Sequence, residues 1–372
     1  MSEPTPIRER LANADDSVLQ ELKMGSCVSK GSTASSPQHY AVQYTEQAAP
    51  SPSSSEASMS PNLHGSTALE SPIARWSGAR RSVLLPHEVQ QAAYQLAMRL
   101  NDRPIDASDR QRLADATATM HETRLALHRG RGNVVSDLRL SNVRSATYSS
   151  LSYSLGENDE NLLAGSALAA GAGNCDHNAA INTRRHADRM EDGGQMMTVR
   201  DYEHSHLYAL YQPPNSAEAE ESVVLDSWAD GPAVLLRDSH WAETYGTSNV
   251  TERFDKSDAI GALARANAFR AEVEDPQTAL HANARELETV FLANPAPGDI
   301  RTAMPIIAPH LAESTRRRLE EYSPRTRTVL AAHAARDAYG LEDSRANSPR
   351  TTKAILKDAT RLDALGRPPL SW

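Results

Sequence analysis

Residues 173–179 read Gly-Asn-Cys-Asp-His-Asn-Ala, and this stretch holds one of only two cysteines in the 372-residue chain. It follows a run of small residues and leads into a segment whose composition predicts the first turns of a helix. Asn174 is a favourable N-cap residue, so Cys175 is expected in the first turn, where unpaired backbone N–H groups and the helix dipole favour a thiolate. The neighbouring Asp176 acts in the opposite sense, and a nucleophilic cysteine therefore needs a base.

Three apolar segments downstream predict the strands of a small sheet. Residues 196–202 and 206–212 alternate loosely and contain valine and tyrosine, and His206 opens the second of them. A third apolar run, residues 223–225, is followed directly by Asp226. A helix-borne cysteine, a strand-borne histidine and a strand-end aspartate, in that order, supply a nucleophile, a base and a group that orients the base.

The histidines allow more than one interpretation. Alternation places His206 on the same strand face as Tyr208, whereas His204 lies nearer the strand entry and is the reserve candidate for the base. The pairs His204-x-His206 and Cys175-x-His177 also suggest zinc, but a structural zinc site needs more thiolates at characteristic spacing. We therefore expect no metal and no cofactor. The three triad residues could also be purely structural, as a buried cysteine, a hydrogen-bonded strand histidine and a turn aspartate.

The same residues carry a resemblance to a known family. A Cys-Asp-His-Asn-Ala helix start, a Ser-His-Leu-Tyr strand and a Leu-Asp-Ser-Trp strand end resemble the transglutaminase-like branch of the papain-type cysteine enzymes. Within that branch, residues 80–370 resemble the AvrPphE (HopX, XopE) family of bacterial type III effectors. The family's proposed catalytic triad then falls on Cys175, His206 and Asp226. Ser227 stands where the wider superfamily often has proline.

The resemblance implies a fold, a chemistry and a place of action. The fold is α+β and papain-like (transglutaminase-like), with a Cys-bearing helix on a short antiparallel sheet and helical layers on both sides. The function is that of a virulence protein secreted by a type III system into a host plant cell. There it would act as a protease, deamidase or transglutaminase on a host protein. The alternative is a non-catalytic, membrane-tethered adaptor whose helical flanks bind host proteins.

The chain divides into four predicted regions. Residues 1–75 are rich in serine, proline, alanine and threonine and predict a disordered leader. Residues 80–136 predict a helical subdomain, 137–255 hold the catalytic core, and 256–372 are helical to the end.

Amphipathic stripes mark three of the predicted helices. The first spans about residues 86–101, and the second opens with a capping box at residues 108–111. The apolar residues that share a face are Val89, Ala93, Leu96 and Leu100 in the first helix, Leu113, Ala116, Met120 and Leu127 in the second, and Leu280, Ala284, Leu287 and Phe291 in the C-terminal region.

Residues 24–29 read Met-Gly-Ser-Cys-Val-Ser and match a lipidation pattern that acts on an N-terminal glycine. Translation would have to start at Met24, or the chain would have to be cleaved before Gly25; otherwise the match is a coincidence. In the first two cases, Gly25 would carry myristate and Cys27 palmitate. A single myristoyl chain holds a protein at a membrane only marginally, so the second chain matters. The family resemblance implies this start, and with it a location at the host plasma membrane.

Composition narrows the possible partners. The net charge of −9 argues against a nucleic-acid partner, which leaves a host protein substrate and, through the acyl chains, the host membrane. Two cysteines give no disulfide framework and suit a reducing compartment. No apolar run approaches the roughly 18 residues of a membrane span.

Overall fold

The computed structural model describes residues 84–156, 159–216, 219–295 and 297–366. They belong to one compact unit, which is an α+β structure with many helices and a small antiparallel sheet, as the sequence predicts. The predicted lipidation residues Gly25 and Cys27 lie outside the described residues. Within the described ranges, no helix is both long enough and apolar enough to cross a membrane.

Helices flank the sheet on both sides in the sequence. Those that precede it are α1 (Pro86–Leu100), α2 (Ala107–Ala126), α3 (Val135–Leu140), α4 (Arg144–Gly156), α5 (Glu160–Ala170) and α6 (Cys175–Arg185). Those that follow it are α7 (Lys256–Glu274), α8 (Ala279–Ala293), α9 (Pro309–Glu321), α10 (Pro324–Tyr339), α11 (Asp343–Ala346) and α12 (Pro349–Ala359).

The sheet is antiparallel and has the order β4-β3-β2-β1-β5. Its strands are β1 (Gln195–Asp201), β2 (His206–Gln212), β3 (Val223–Leu225), β4 (Val234–Leu235) and β5 (Asn249–Phe254). The first three match the predicted strands to within one residue, whereas β4 and β5 were not predicted. In the β1–β2 hairpin, Asp201 pairs with His206, so the catalytic candidate lies next to the turn.

The predicted apolar stripes of α1 and α8 are confirmed by their burial. The two stripes enter different hydrophobic clusters. The stripe of α1 packs into the largest cluster, and that of α8 packs beside Leu151 and Leu155 of α4. The largest cluster also contains Leu210 of β2 and Ile355 of α12. Residues from all three predicted folded regions therefore share one core, and the sheet is held between elements that are far apart in the chain.

The start of α2 differs from the prediction. Asp106 is the N-cap, and its carboxylate accepts a hydrogen bond from the backbone N–H of Asp109 at 2.8 Å. Ser108 lies inside the first turn, and its hydroxyl donates to the same carboxylate. The predicted capping box at Ser108 was wrong because an aspartate two residues earlier offers a charged acceptor to the unpaired N–H groups.

The small residues before Cys175 allow two helices to approach closely. Helix α5 packs against α4, α6 and α7. At Gly165, a Cβ atom would lie 2.5 Å from the carbonyl oxygen of Ala266 in α7, so a larger residue would push the helices apart. Gly171 ends α5 in the left-handed region, at φ 69°, and the chain then turns into α6.

Candidate active site

Cys175 is the first residue of α6, and Asn174 occupies the N-cap position, as the sequence predicts. The backbone N–H of Asn174 donates to Nδ1 of His177 at 3.1 Å, which closes the first turn. The Cys175 side chain is only 5% exposed and belongs to a small cluster with Val134 and Trp228. The thiol therefore lies at a helix start, but beneath the surface.

His206 and Asp226 form a buried pair. Nε2 of His206 lies 2.5 Å from Oδ2 of Asp226, and each residue is 1% exposed. The other carboxylate oxygen, Oδ1, accepts the backbone N–H groups of Trp228 and Ala229, both at 3.0 Å. Three donors thus fix the carboxylate, and the contact assigns a proton to Nε2 of the imidazole.

Two tryptophans hold the imidazole ring of His206. Trp241 stacks on it at an interplanar angle of 14°, with ring centroids 5.1 Å apart, and Trp228 lies at 5.0 Å. Nδ1 of His206 is buried and has no hydrogen-bond partner in the part of the chain that the structure describes. With the proton on Nε2, Nδ1 presents a lone pair, which is what a general base requires.

Cys175, His206 and Asp226 each adjoin Trp228. Helix α6, which begins with Cys175, packs against β2, which begins with His206. Trp228 lies in the same cluster as Cys175 and contacts the His206 ring, and its backbone N–H bonds to Asp226. The sequence analysis identified Trp228 only as part of the strand end that carries the family resemblance. In the structure it adjoins all three residues of the predicted triad.

Two asparagines of α6 fix this helix against the end of β3. The Ser227 hydroxyl donates to Oδ1 of Asn178 at 2.7 Å. Nδ2 of Asn182 donates to the same hydroxyl at 3.0 Å and to the carbonyl of Leu225 at 3.2 Å. Ser227 thus has a structural role at the position where the resembling superfamily often has proline. The i,i+4 spacing of the asparagines was the signal that could have shown this contact.

Arg124 of α2 supports the loop after Asp226, and the sequence analysis missed it. Its fully buried guanidinium donates to the carbonyls of Ser227, Ala229 and Gly231 at 3.2, 2.8 and 2.9 Å. Burial lowers the pKa of Arg124 to about 10, so the group stays charged at neutral pH. The helical region before the core therefore supplies a cation that holds the acid-bearing loop.

Arg131 forms hydrogen bonds with the same loop at Trp228 and Asp230. Its Nη1 donates to the Trp228 carbonyl at 2.5 Å and to Oδ1 of Asp230 at 3.0 Å, while Asp137 accepts two further bonds at 2.9 Å. The indole N–H of Trp228 donates to Oδ1 of Asn133 at 3.1 Å. Arginine is ordinarily expected at the protein surface, so the pattern of apolar and polar residues did not predict that Arg124 and Arg131 are buried.

We expect Arg124→Met to lower the free energy of unfolding by roughly 2–4 kcal/mol, because three loop carbonyls lose their donors inside the protein. Urea denaturation measures the change. The matched control is Arg325→Met, at an exposed position on α10. A loss no larger than that of the control would contradict the role assigned to Arg124.

His204, the reserve base, belongs to a separate pair. Its Nδ1 lies 2.9 Å from Oδ2 of Asp201, which also accepts the Thr244 hydroxyl at 2.6 Å. Its ring is partly exposed and meets His240 edge-on at 5.0 Å. Among the residues described, no group of three or more His, Cys, Asp or Glu side chains could hold a metal ion. Asp201 and Asp226 are both 1% exposed, so the difference between the two pairs is that the His206 ring contacts Trp228, which packs with Cys175.

The carboxylate that follows Cys175 is held firmly. The Tyr153 hydroxyl donates to Asp176 at 2.7 Å, and the backbone N–H of His177 donates at 2.9 Å. Burial raises the pKa of Asp176, but the adjacent His177 and these hydrogen bonds outweigh it, so the pKa lies below its usual value. A fixed anion beside the thiol opposes the helix dipole, and a stable thiolate would therefore depend on a protonated His206.

Comparisons with known proteins were made at three levels. The chain matches no established family profile, no curated protein sequence and no solved structure. The chemistry open to this site therefore rests on the residues that form it.

Proposed function

We propose that this protein is a cysteine-dependent enzyme that attacks a carboxamide or peptide carbonyl of a protein substrate. The observation that carries the proposal is the buried His206–Asp226 pair, whose imidazole contacts Trp228, a member of the same cluster as Cys175. Among the described residues, Nδ1 of His206 has no hydrogen-bond partner. A general base keeps one nitrogen available for the proton it must take. The buried His177 and His186 also leave one ring nitrogen unpartnered within the described part of the chain, so His206 is distinguished by the buried carboxylate on its other nitrogen and by its contact with Trp228.

The first half of the reaction forms a thioester. Nδ1 of His206 takes the proton from Sγ of Cys175, and the thiolate adds to the carbonyl carbon of the substrate. The resulting imidazolium is stabilised by Asp226, whose position is fixed by two backbone N–H groups. When the tetrahedral intermediate collapses, the proton on Nδ1 passes to the departing nitrogen, which leaves as ammonia or as an amine.

The second half releases the acyl group. His206 accepts a proton from water or from an acceptor amine, which attacks the thioester carbonyl, and the proton then returns to Sγ of Cys175. Water gives proteolysis or deamidation, and an amine gives transglutamination. The backbone N–H of Cys175 lies in the first turn of α6, where N–H groups have no acceptor within the helix, and it would contribute to an oxyanion hole.

The papain-like identity of the core and the biological setting are parts of this proposal. A Cys-bearing helix packed on an antiparallel sheet, with the histidine on one strand and the aspartate after the next, supports a papain-like (transglutaminase-like) arrangement. The AvrPphE-like sequence features support an effector that acts in a host cell. Myristate at Gly25 and palmitate at Cys27 would then hold it at the host membrane.

The test is the pH dependence of Cys175 alkylation by iodoacetamide in a Cys27→Ser background, where Cys175 is the only thiol. We expect half-maximal reactivity at a pH well below the pKa of an ordinary cysteine thiol, which is about 8–9. His206→Ala should move the midpoint up to that range, because the imidazolium that stabilises the thiolate is lost. Nearby His204→Ala is the control and should leave the midpoint in place.

Two results would turn the interpretation towards a non-catalytic adaptor. One is a Cys175 that titrates like an ordinary thiol in the unaltered chain. The other is an alkylation midpoint that does not respond to His206→Ala.

A further inference from the structure

An extended segment, residues 301–308, runs along two loops of the candidate site, and we call it the strap. At its start, the N–H of Arg301 donates to the carbonyl of Asn133 at 2.7 Å, and the carbonyl of Arg301 accepts from Val135 at 3.0 Å. Further on, Asp230 donates to the carbonyl of Met304 and accepts from the N–H of Ile306, both at 2.9 Å. Both sets have the pattern of a parallel strand pair.

Both anchor points of the strap adjoin the cluster that contains Cys175. Val134, between the residues that bind the start of the strap, and Trp228, two residues before Asp230, form the cluster around Cys175. Ala303 and Met304 of the strap are half-buried against this cluster. The strap therefore covers the cluster that holds the thiol with an extended backbone and with one small and one unbranched apolar side chain.

The triad cannot meet a protein substrate while it is so deeply buried. Cys175 is 5% exposed, and His206 and Asp226 are each 1% exposed. Of the elements around the thiol, Val134 and Trp228 are fully buried, and Trp228 is held by Arg131 and by its bond to Asp226. The first part of the strap, residues 301–305, is more exposed, since Ala303 and Met304 are half-buried and Thr302 is exposed. The end of the strap is fixed, because Ile306 and Ile307 are buried and backbone bonds join Ile306 to His240 and Ala308 to Asp238.

We propose that residues 301–305 of the strap occupy the place of the substrate, and that the substrate is an extended polypeptide segment which displaces them. Such a segment would pair with the backbone of Asn133, Val135 and Asp230, as a strand added to an open edge. It would place small or unbranched apolar side chains where Ala303 and Met304 lie. This inference rests on the proposed function, because it specifies the substrate of that same thiol.

The test compares how readily Cys175 is reached in the full chain with Cys27→Ser. Two variants loosen the strap without touching the triad: Met304→Ala removes its apolar contact, and Arg301→Ala removes the bond from its guanidinium to the His204 carbonyl at 3.0 Å. We expect each to speed alkylation by a maleimide carrying a polyethylene glycol chain on the order of tenfold, because the open form becomes more populated. The control is Arg325→Ala, at an exposed position on α10.

A second measurement asks whether the vacated edge accepts a peptide. The probe is a synthetic peptide with the sequence of residues 299–305, which covers the part of the strap that is not buried in the core, and it should slow alkylation of Cys175 in the Met304→Ala chain, whereas a scrambled peptide should not. Folded variants that react no faster than the unaltered chain would overturn the proposal, as would a probe no better than its scrambled form. These rates are separate from the alkylation midpoint pH, so a failed strap and a failed triad give different results.

Discussion

Cys175→Ala is expected to abolish every effect of the protein that depends on acyl transfer, since no other side chain of the candidate site can form the thioester. Water activated by His206 alone would lack the covalent intermediate that divides one difficult step into two easier ones. The substitution is small and lies at a helix start, so the free energy of unfolding should change by about 1 kcal/mol. Loss of function would then reflect chemistry and not unfolding.

The measurement is the effect of each chain in the host cell, together with thermal unfolding of the purified proteins. Cys175→Ser is the matched control because it replaces the thiol by a hydroxyl of similar size, which lacks the low pKa and the nucleophilicity of a thiol. It should be as inactive as the alanine variant. Full effect in either variant would overturn the enzymatic interpretation and leave the adaptor.

The sequence predicted those parts of the site whose signals are local. Cys175 follows an N-cap residue, His206 opens an apolar strand, and Asp226 ends the next one, so each could be placed within its own element. Their common neighbour, Trp228, was not predicted, because it depends on how these elements pack. The contacts that position them, such as Ser227 with Asn178, depend on which helix face meets which strand, and local patterns do not specify that.

The missed features involve residues distant in the chain or very short elements. Arg124 lies about a hundred residues before the loop it holds, and an arginine in a helix is ordinarily expected on the surface. Strand β4 has only two residues, and β5 is a half-exposed edge strand, so neither gives a strong periodic signal. The strap lies more than a hundred residues after Cys175 and becomes visible only through its backbone bonds.

Asp226→Asn is expected to reduce catalysis by about 10³–10⁴-fold with little change of shape, because it reverses the tautomer of His206. Oδ1 of Asp226 accepts two backbone N–H groups, from Trp228 and Ala229. In the variant the amide oxygen must take that position, so the amide NH₂ faces Nε2 of His206. Nε2 then accepts a hydrogen bond, the imidazole proton moves to Nδ1, and no lone pair is left to receive the proton of Cys175.

The neighbouring pair provides a matched control for Asp226→Asn. Asp201 also accepts two backbone N–H groups on one oxygen, from Glu203 and His204, and bonds an imidazole with the other. Asp201→Asn should therefore reverse the tautomer of His204 by the same logic while leaving the alkylation midpoint of Cys175 unchanged. In Asp226→Asn, that midpoint should rise to the ordinary thiol range, about 8–9. If Asp201→Asn raised the midpoint and Asp226→Asn did not, His204 would be the base, and the catalytic pair would lie on the opposite side of the β1–β2 turn.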